Sequence, residues 1–126
     1  MKVQTSLIPI YTTRGDLEAF LSYPYIFNRQ GEWIGWISPE RQIYSVHGHY
    51  VGWLGAGPRI LRKVADGYGK QRNDIPPPEP PSITPPAQGP LAPLMPELTF
   101  GVVDVLMDSP ELMPPVDFGE LREDMD

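Results

Sequence analysis

The sequence predicts an all-β protein: three to four repeated β-hairpins around a pseudo-symmetric axis, then a proline-rich linker and an extended C-terminal arm. Three observations carry this prediction. A twelve-residue phrase occurs three times without internal gaps, at residues 10–21, 26–37 and 43–54. Ten of the 17 prolines fall between Pro76 and Pro96. The charge also divides: residues 1–73 carry nine Lys/Arg against five Asp/Glu, a net +4, and residues 74–126 carry one against eleven, a net −10. Self-similarity at a fixed period fixes architecture more firmly than composition does.

Each phrase reads Ile, aromatic, three residues, Gly, three residues, small, aromatic, aliphatic. Ahead of the glycine stand Ile10-Tyr11, Ile26-Phe27 and Ile43-Tyr44, which are strand-forming pairs. Around it lie Arg14-Gly15-Asp16, Gln30-Gly31-Glu32 and His47-Gly48-His49. Polar residues with glycine between two apolar runs predict a tight hairpin, glycine supplying the positive φ. Behind the glycine, copies two and three are apolar on both strand faces, so those strands are expected to be covered on both sides. Four residues past the glycine come Ala19, Gly35 and Gly52. A glycine inside a strand marks close approach of another element. The aromatics beside them, Phe20, Trp36 and Trp53, are expected to fill those gaps in adjacent copies.

Copies are spaced by 16 and 17 residues, with Pro24 and Pro39 at the turns between them. A fourth copy would place its glycine near residue 65, within Ile60-Leu61-Arg62-Lys63-Val64-Ala65-Asp66-Gly67. This stretch fits a degenerate hairpin over 60–70 turning at Asp66-Gly67. It also fits a short helix started by Pro58 and stopped by Gly67. The strand-like reading is preferred. The motifs Gly31-Glu32-Trp33-Ile34-Gly35-Trp36-Ile37 and Gly48-His49-Tyr50-Val51-Gly52-Trp53-Leu54 resemble the bacterial four-fold β-flower domain. The resemblance covers residues 8–70 and implies four short hairpins about a pseudo-fourfold axis. It implies no activity and no catalytic residue.

The repeat domain is placed at residues 1–72, a core small enough to gain from aromatics or from association. Residues 73–97 form the linker, because proline lacks the donor that a helix or inner strand needs. Its Pro-x-x-Pro spacings fit either a ligand for an SH3-like groove or a semi-rigid spacer, and the spacer is preferred. Residues 98–107, Leu98-Thr99-Phe100-Gly101-Val102-Val103-Asp104-Val105-Leu106-Met107, form a candidate docking strand. It is expected to complete the hairpin domain or to pair with another chain, so protein partners and self-association centre there. Residues 108–126 read as an acidic, flexible tail. With no cysteine, no signal-like start and no run of membrane-spanning length, a cytoplasmic protein is expected.

His47 and His49 carry metal-ligand chemistry. A third ligand would have to come from elsewhere, and the other copies place Arg14/Asp16 and Gln30/Glu32 at or near the same turn. The pair therefore reads as exposed turn residues, with a metal-binding or hydrolytic site as the alternative, and no metal or cofactor is assigned. Gly55-Ala56-Gly57-Pro58-Arg59 lacks the spacing of a phosphate-cradling loop and reads as a plain loop. Arg59, Arg62, Lys63, Lys70 and Arg72 are the main basic cluster. Beside Trp36, Trp53 and Tyr68 they have the chemistry to bind single-stranded nucleic acid. At net −6 the cheaper expectation is attraction of the chain's own acidic tail. No acid–base pair or activated nucleophile stands out, so no catalytic residue is assigned and an enzyme is not expected. The candidate binding residues are Trp33, Trp36, Trp53, Arg59, Arg62 and Lys63. The expected role is a non-enzymatic binding or assembly module.

Overall fold

The computed structural model describes residues 7–66, 77–81 and 83–115. Gly67, Tyr68, Lys70 and Arg72 of the expected fourth copy and basic cluster lie outside the described residues, as does the tail from 116 onward. Among the described residues, eight strands form one antiparallel sheet in chain order, curled into a half-barrel. They are β1 (Ile8–Tyr11), β2 (Leu17–Ser22), β3 (Tyr25–Asn28), β4 (Trp33–Ile37), β5 (Gln42–Ser45), β6 (Tyr50–Gly55), β7 (Arg59–Lys63) and β8 (Val102–Asp104). Among these same residues, helical structure is limited to α1 (Val105–Asp108) and the 3₁₀ turns Val64–Asp66 and Pro110–Leu112. None of these is long and apolar enough to cross a membrane.

The three phrases are hairpins β1–β2, β3–β4 and β5–β6, turning at Gly15, Gly31 and Gly48 with φ of 93°, 85° and 87°. Each turn is braced by a short polar side chain three residues before the glycine. Thr12 Oγ1, Asn28 Oδ1 and Ser45 Oγ accept from the amides of Asp16, Glu32 and His49 at 3.2, 2.9 and 3.3 Å. Such oxygens close a loop locally where strand amides have run out. The turn between copies two and three repeats the device: Ser38 Oγ accepts from Gln42 N–H (3.2 Å) and Arg41 takes the glycine position at φ 70°. Left-handed backbone costs a non-glycine residue on the order of 1 kcal/mol. Arg41 is held there by bonds to Leu54 from both its carbonyl (3.0 Å) and its guanidinium (3.1 Å).

Gly35 and Gly52 make room for backbone rather than for aromatic rings, which corrects the aromatic–small fit expected there from the sequence. A Cβ on Gly35 would lie 2.5 Å from the Tyr44 carbonyl oxygen and 2.6 Å from Met113 Cε. A Cβ on Gly52 would overlap the Leu61 carbonyl oxygen. Hairpins two and three therefore each pack the next unit's backbone directly against their own second strand.

The fourth unit is assembled from two distant pieces. β7 repeats the Ile-first strand, but Arg62 stands where the other copies have Thr12, Asn28 and Ser45, and Ala65 stands where they have glycine. Both turn-making residues are missing. The chain enters the Val64–Asp66 3₁₀ turn, and among the described residues the strand that pairs with β7 is β8, with Leu61 opposite Asp104 and Lys63 opposite Val102.

The inner face carries the core. Ile10, Ile26, Ile43 and Ile60, one from each unit, are all completely buried. Leu21, Ile37 and Leu54 complete the ring, and Val105 and Met113 close it from the C-terminal side. Of the stretch expected to be an acidic tail, the residues up to 115 are described, and Met113 within it is 3% exposed. Burying a methionine side chain contributes about 2 kcal/mol, which holds this segment on the sheet.

Gly52→Ala is expected to lower the unfolding free energy by about 3 kcal/mol, because the Leu61 backbone has nowhere to go, whereas Ala19→Gly costs about 1 kcal/mol. Urea titration of the two variants reads the difference.

Candidate functional site

Residues next to the buried isoleucines point to the opposite, outer face. There the register builds one row at each seam between units. The rows are Phe20–Phe27–Trp33, Trp36–Tyr44–Tyr50 and Trp53–Leu61–Asp104. In each, a residue late in one unit lies opposite the early strand residue of the next unit, which lies opposite that unit's returning strand. Trp36 stacks on Tyr44 with ring centroids 4.5 Å apart, and Tyr44 meets Tyr50 edge-on at 5.9 Å. Aromatic pairs in such geometries add about 1 kcal/mol beyond their burial.

The three tryptophans occupy different settings. Trp33 is 7% exposed, packs with Phe27 and Val46, and donates its indole N–H to the Gly35 carbonyl at 2.7 Å. Trp36 is half-buried, and its indole N–H is enclosed without an acceptor among the described residues. Trp53 is half-buried opposite Leu61.

The proline-rich segment lies across this outer region as a strap. Tyr25 Oη donates to the Pro78 carbonyl at 2.9 Å, and Tyr11 Oη donates to the Pro90 carbonyl at 2.7 Å. Between them, Ile83 N–H donates to the Gly31 carbonyl (3.2 Å), and its side chain packs on the Phe27–Trp33–Val46 cluster. Arg29 Nη2 donates to the Ala87 carbonyl at 3.3 Å. The strap thus meets unit two first and unit one second. A Cβ on Gly31 would overlap the Ile83 carbonyl, so that glycine serves both its turn and the strap.

Unit one meets unit four through buried polar groups. Asp104, with no exposed surface, accepts from the Thr13 amide and hydroxyl, each at 2.7 Å, and from the Met107 amide at 3.3 Å. Arg59, 2% exposed, donates from Nε to the Ala56 carbonyl (2.7 Å) and from Nη1 to Thr13 Oγ1 (3.1 Å). Tyr11 N–H donates to the Pro58 carbonyl at 3.0 Å. A carboxylate and a guanidinium sharing one hydroxyl offset each other's desolvation.

These positions redistribute the basic cluster. Arg59 is committed to that network. Arg62, 4% exposed, donates from Nη1 to the Val51 carbonyl at 3.1 Å. Lys63 is exposed. It stands at the rim of an apolar groove with Val64, Ala65, Phe100 and Val102. Three residues that the sequence presents as neighbours thus serve three different surroundings. His47 is exposed and His49 half-buried at the tip of unit three, beside Glu111 in a small pocket. Among the described residues, no group of three His, Cys, Asp or Glu side chains is placed to hold a metal.

Sequence reasoning missed Tyr11, Tyr25, Thr13 and Asp104. The tyrosines read as strand formers, and only the strap gives their hydroxyls a role. Asp104 carried a signal: it is the one charge inside the apolar run 98–107. A buried charge needs partners, but no local pattern names Thr13 as one.

Arg59→Ala should cost about 3 kcal/mol, since it leaves the buried Asp104 network short of its cation, while Lys63→Ala stays within about 0.5 kcal/mol. Equal losses in urea unfolding would contradict this division of roles.

Comparison with protein families gives a match to the 4-fold beta flower protein over residues 8–101. Comparison with curated proteins and with solved structures gives no match. The match extends beyond the repeats into the strap and ends one residue before β8. The chain belongs to the 4-fold beta flower protein family.

Proposed function

We propose that the chain is a non-enzymatic assembly module that pairs with a second copy through the edge formed by β8 and the residues before it. The observation that carries this reading is Phe100, which is fully exposed beside an edge strand. Its ring stands at a groove with Val64, Ala65 and Val102, and Val64 is also exposed. A large aromatic at full exposure next to an apolar groove is a surface that gains by being covered. Knob and groove lie on the same edge, so two copies related by a twofold axis can satisfy each other. This is the self-complementary arrangement of an isologous dimer. An antiparallel approach of two β8 edges would also pair their outward backbone groups.

Sedimentation velocity across a concentration series tests the proposal. The wild-type chain is expected to associate in a concentration-dependent way, and Phe100→Asp to remain monomeric with its tryptophan emission unchanged. Identical sedimentation of the two proteins, whether both monomeric or both associated, would overturn it.

A further inference from the structure

We infer that the outer face of units one and two is a receptor for proline-rich extended segments, and that the chain's own strap is its tethered occupant. The strap is recognised by features that any such segment shares. Two tyrosine hydroxyls, on Tyr11 and Tyr25, each donate to a backbone carbonyl within the strap, at Pro90 and Pro78. An apolar cluster of Phe27, Trp33 and Val46 receives one aliphatic side chain, Ile83. One main-chain bond, Ile83 N–H to the Gly31 carbonyl, fixes the register. Arg29 brings a charge, and it too reaches a backbone carbonyl, that of Ala87.

This is the chemistry of polyproline recognition. A proline-rich chain is already extended, loses little entropy on docking and presents unpaired carbonyls. Hydroxyl donors set among aromatic rings read those carbonyls. Most of the strap remains exposed, including Pro86, Leu91 and Leu94. Beside it, an open groove runs between Ser22, Tyr25 and Phe27 on one wall and Pro80, Pro81 and Ile83 on the other. The face therefore holds its occupant by a narrow set of contacts, and a segment of like chemistry from another protein competes for the same donors. The tether gives the chain's own strap an effective concentration on the order of millimolar, so a free ligand must displace it.

The test uses the full-length chain and a synthetic peptide of residues 76–96, with a control peptide in which every proline is alanine. Ile83→Asp loosens the tethered occupant and leaves the face intact. The peptide should bind Ile83→Asp at least about tenfold more tightly than wild type, because the competitor is weakened. The alanine control should bind neither chain. Adding Tyr11→Phe and Tyr25→Phe to the Ile83→Asp chain should weaken peptide binding by about tenfold or more, through two lost hydrogen bonds. Should Ile83→Asp unfold the chain, Ile83→Ala serves instead, since it removes most of the same aliphatic anchor without burying a charge. Absence of peptide binding to the loosened chain at millimolar concentration would overturn the inference. So would equal binding of the control peptide, or indifference to the two tyrosine changes.

Discussion

Asp104 is a carboxylate with no exposed surface at the point where the turn of the first hairpin meets β8, and the join between units one and four depends on it. Hairpins one to three are local: each turns on its own glycine and stacks on the next. The fourth unit has only its outgoing strand nearby. Its return comes from residues 102–104, after the chain has passed over units two and one. Asp104 joins that returning strand to Thr13, in the turn of the first hairpin, and Arg59 enters the same network through Thr13 Oγ1. Strand pairing holds β8 to β7, and this one side chain joins unit four to unit one.

Much of this order was legible in the sequence. Three copies with glycine at one offset gave three hairpins, and the isoleucine opening each copy became the buried ring, with Ile60 supplying the fourth member. The periodic part was readable because hairpin geometry is local: a turn residue, a strand former and an alternation suffice. The small residues at 35 and 52 were correctly read as sites of close approach, but what approaches is the neighbouring backbone. Glycine spacing does not distinguish a carbonyl from a ring. The bracing oxygens of Thr12, Asn28 and Ser45 were also present in the repeat, and their loss at Arg62 accords with a fourth unit whose second strand is the distant β8.

What escaped the sequence was long-range. Nothing local places Pro78 on Tyr25, Pro90 on Tyr11 or Met113 against Gly35. The candidate binding residues fared unevenly for the same reason. Arg59, Arg62 and Lys63 are neighbours along the chain, yet alternation and ring closure send them to a buried network, a neighbouring carbonyl and the open surface. The three tryptophans differ likewise, Trp33 being sealed beneath the strap cluster while Trp36 and Trp53 stay half-open. A strap that belongs to the chain, lies on its aromatic seams and leads into its last strand ties the outer face to ring closure. Events on that face are then linked to the hold on β8, because one continuous segment serves both.

The most direct measurement of this account is hydrogen exchange at the Thr13 amide, which donates to a carboxylate 91 residues away. Slow exchange is expected in the wild-type chain, comparable with the amides of Ile37 and Leu54 that end the ladders of hairpins two and three. Asp104→Ala is expected to speed exchange at Thr13 and Tyr11 while the turn amides of Gly31 and Glu32 keep their wild-type rates. A Thr13 amide that exchanges as fast as that of exposed Arg14, or one unmoved by Asp104→Ala, would contradict closure of the ring by its far strand.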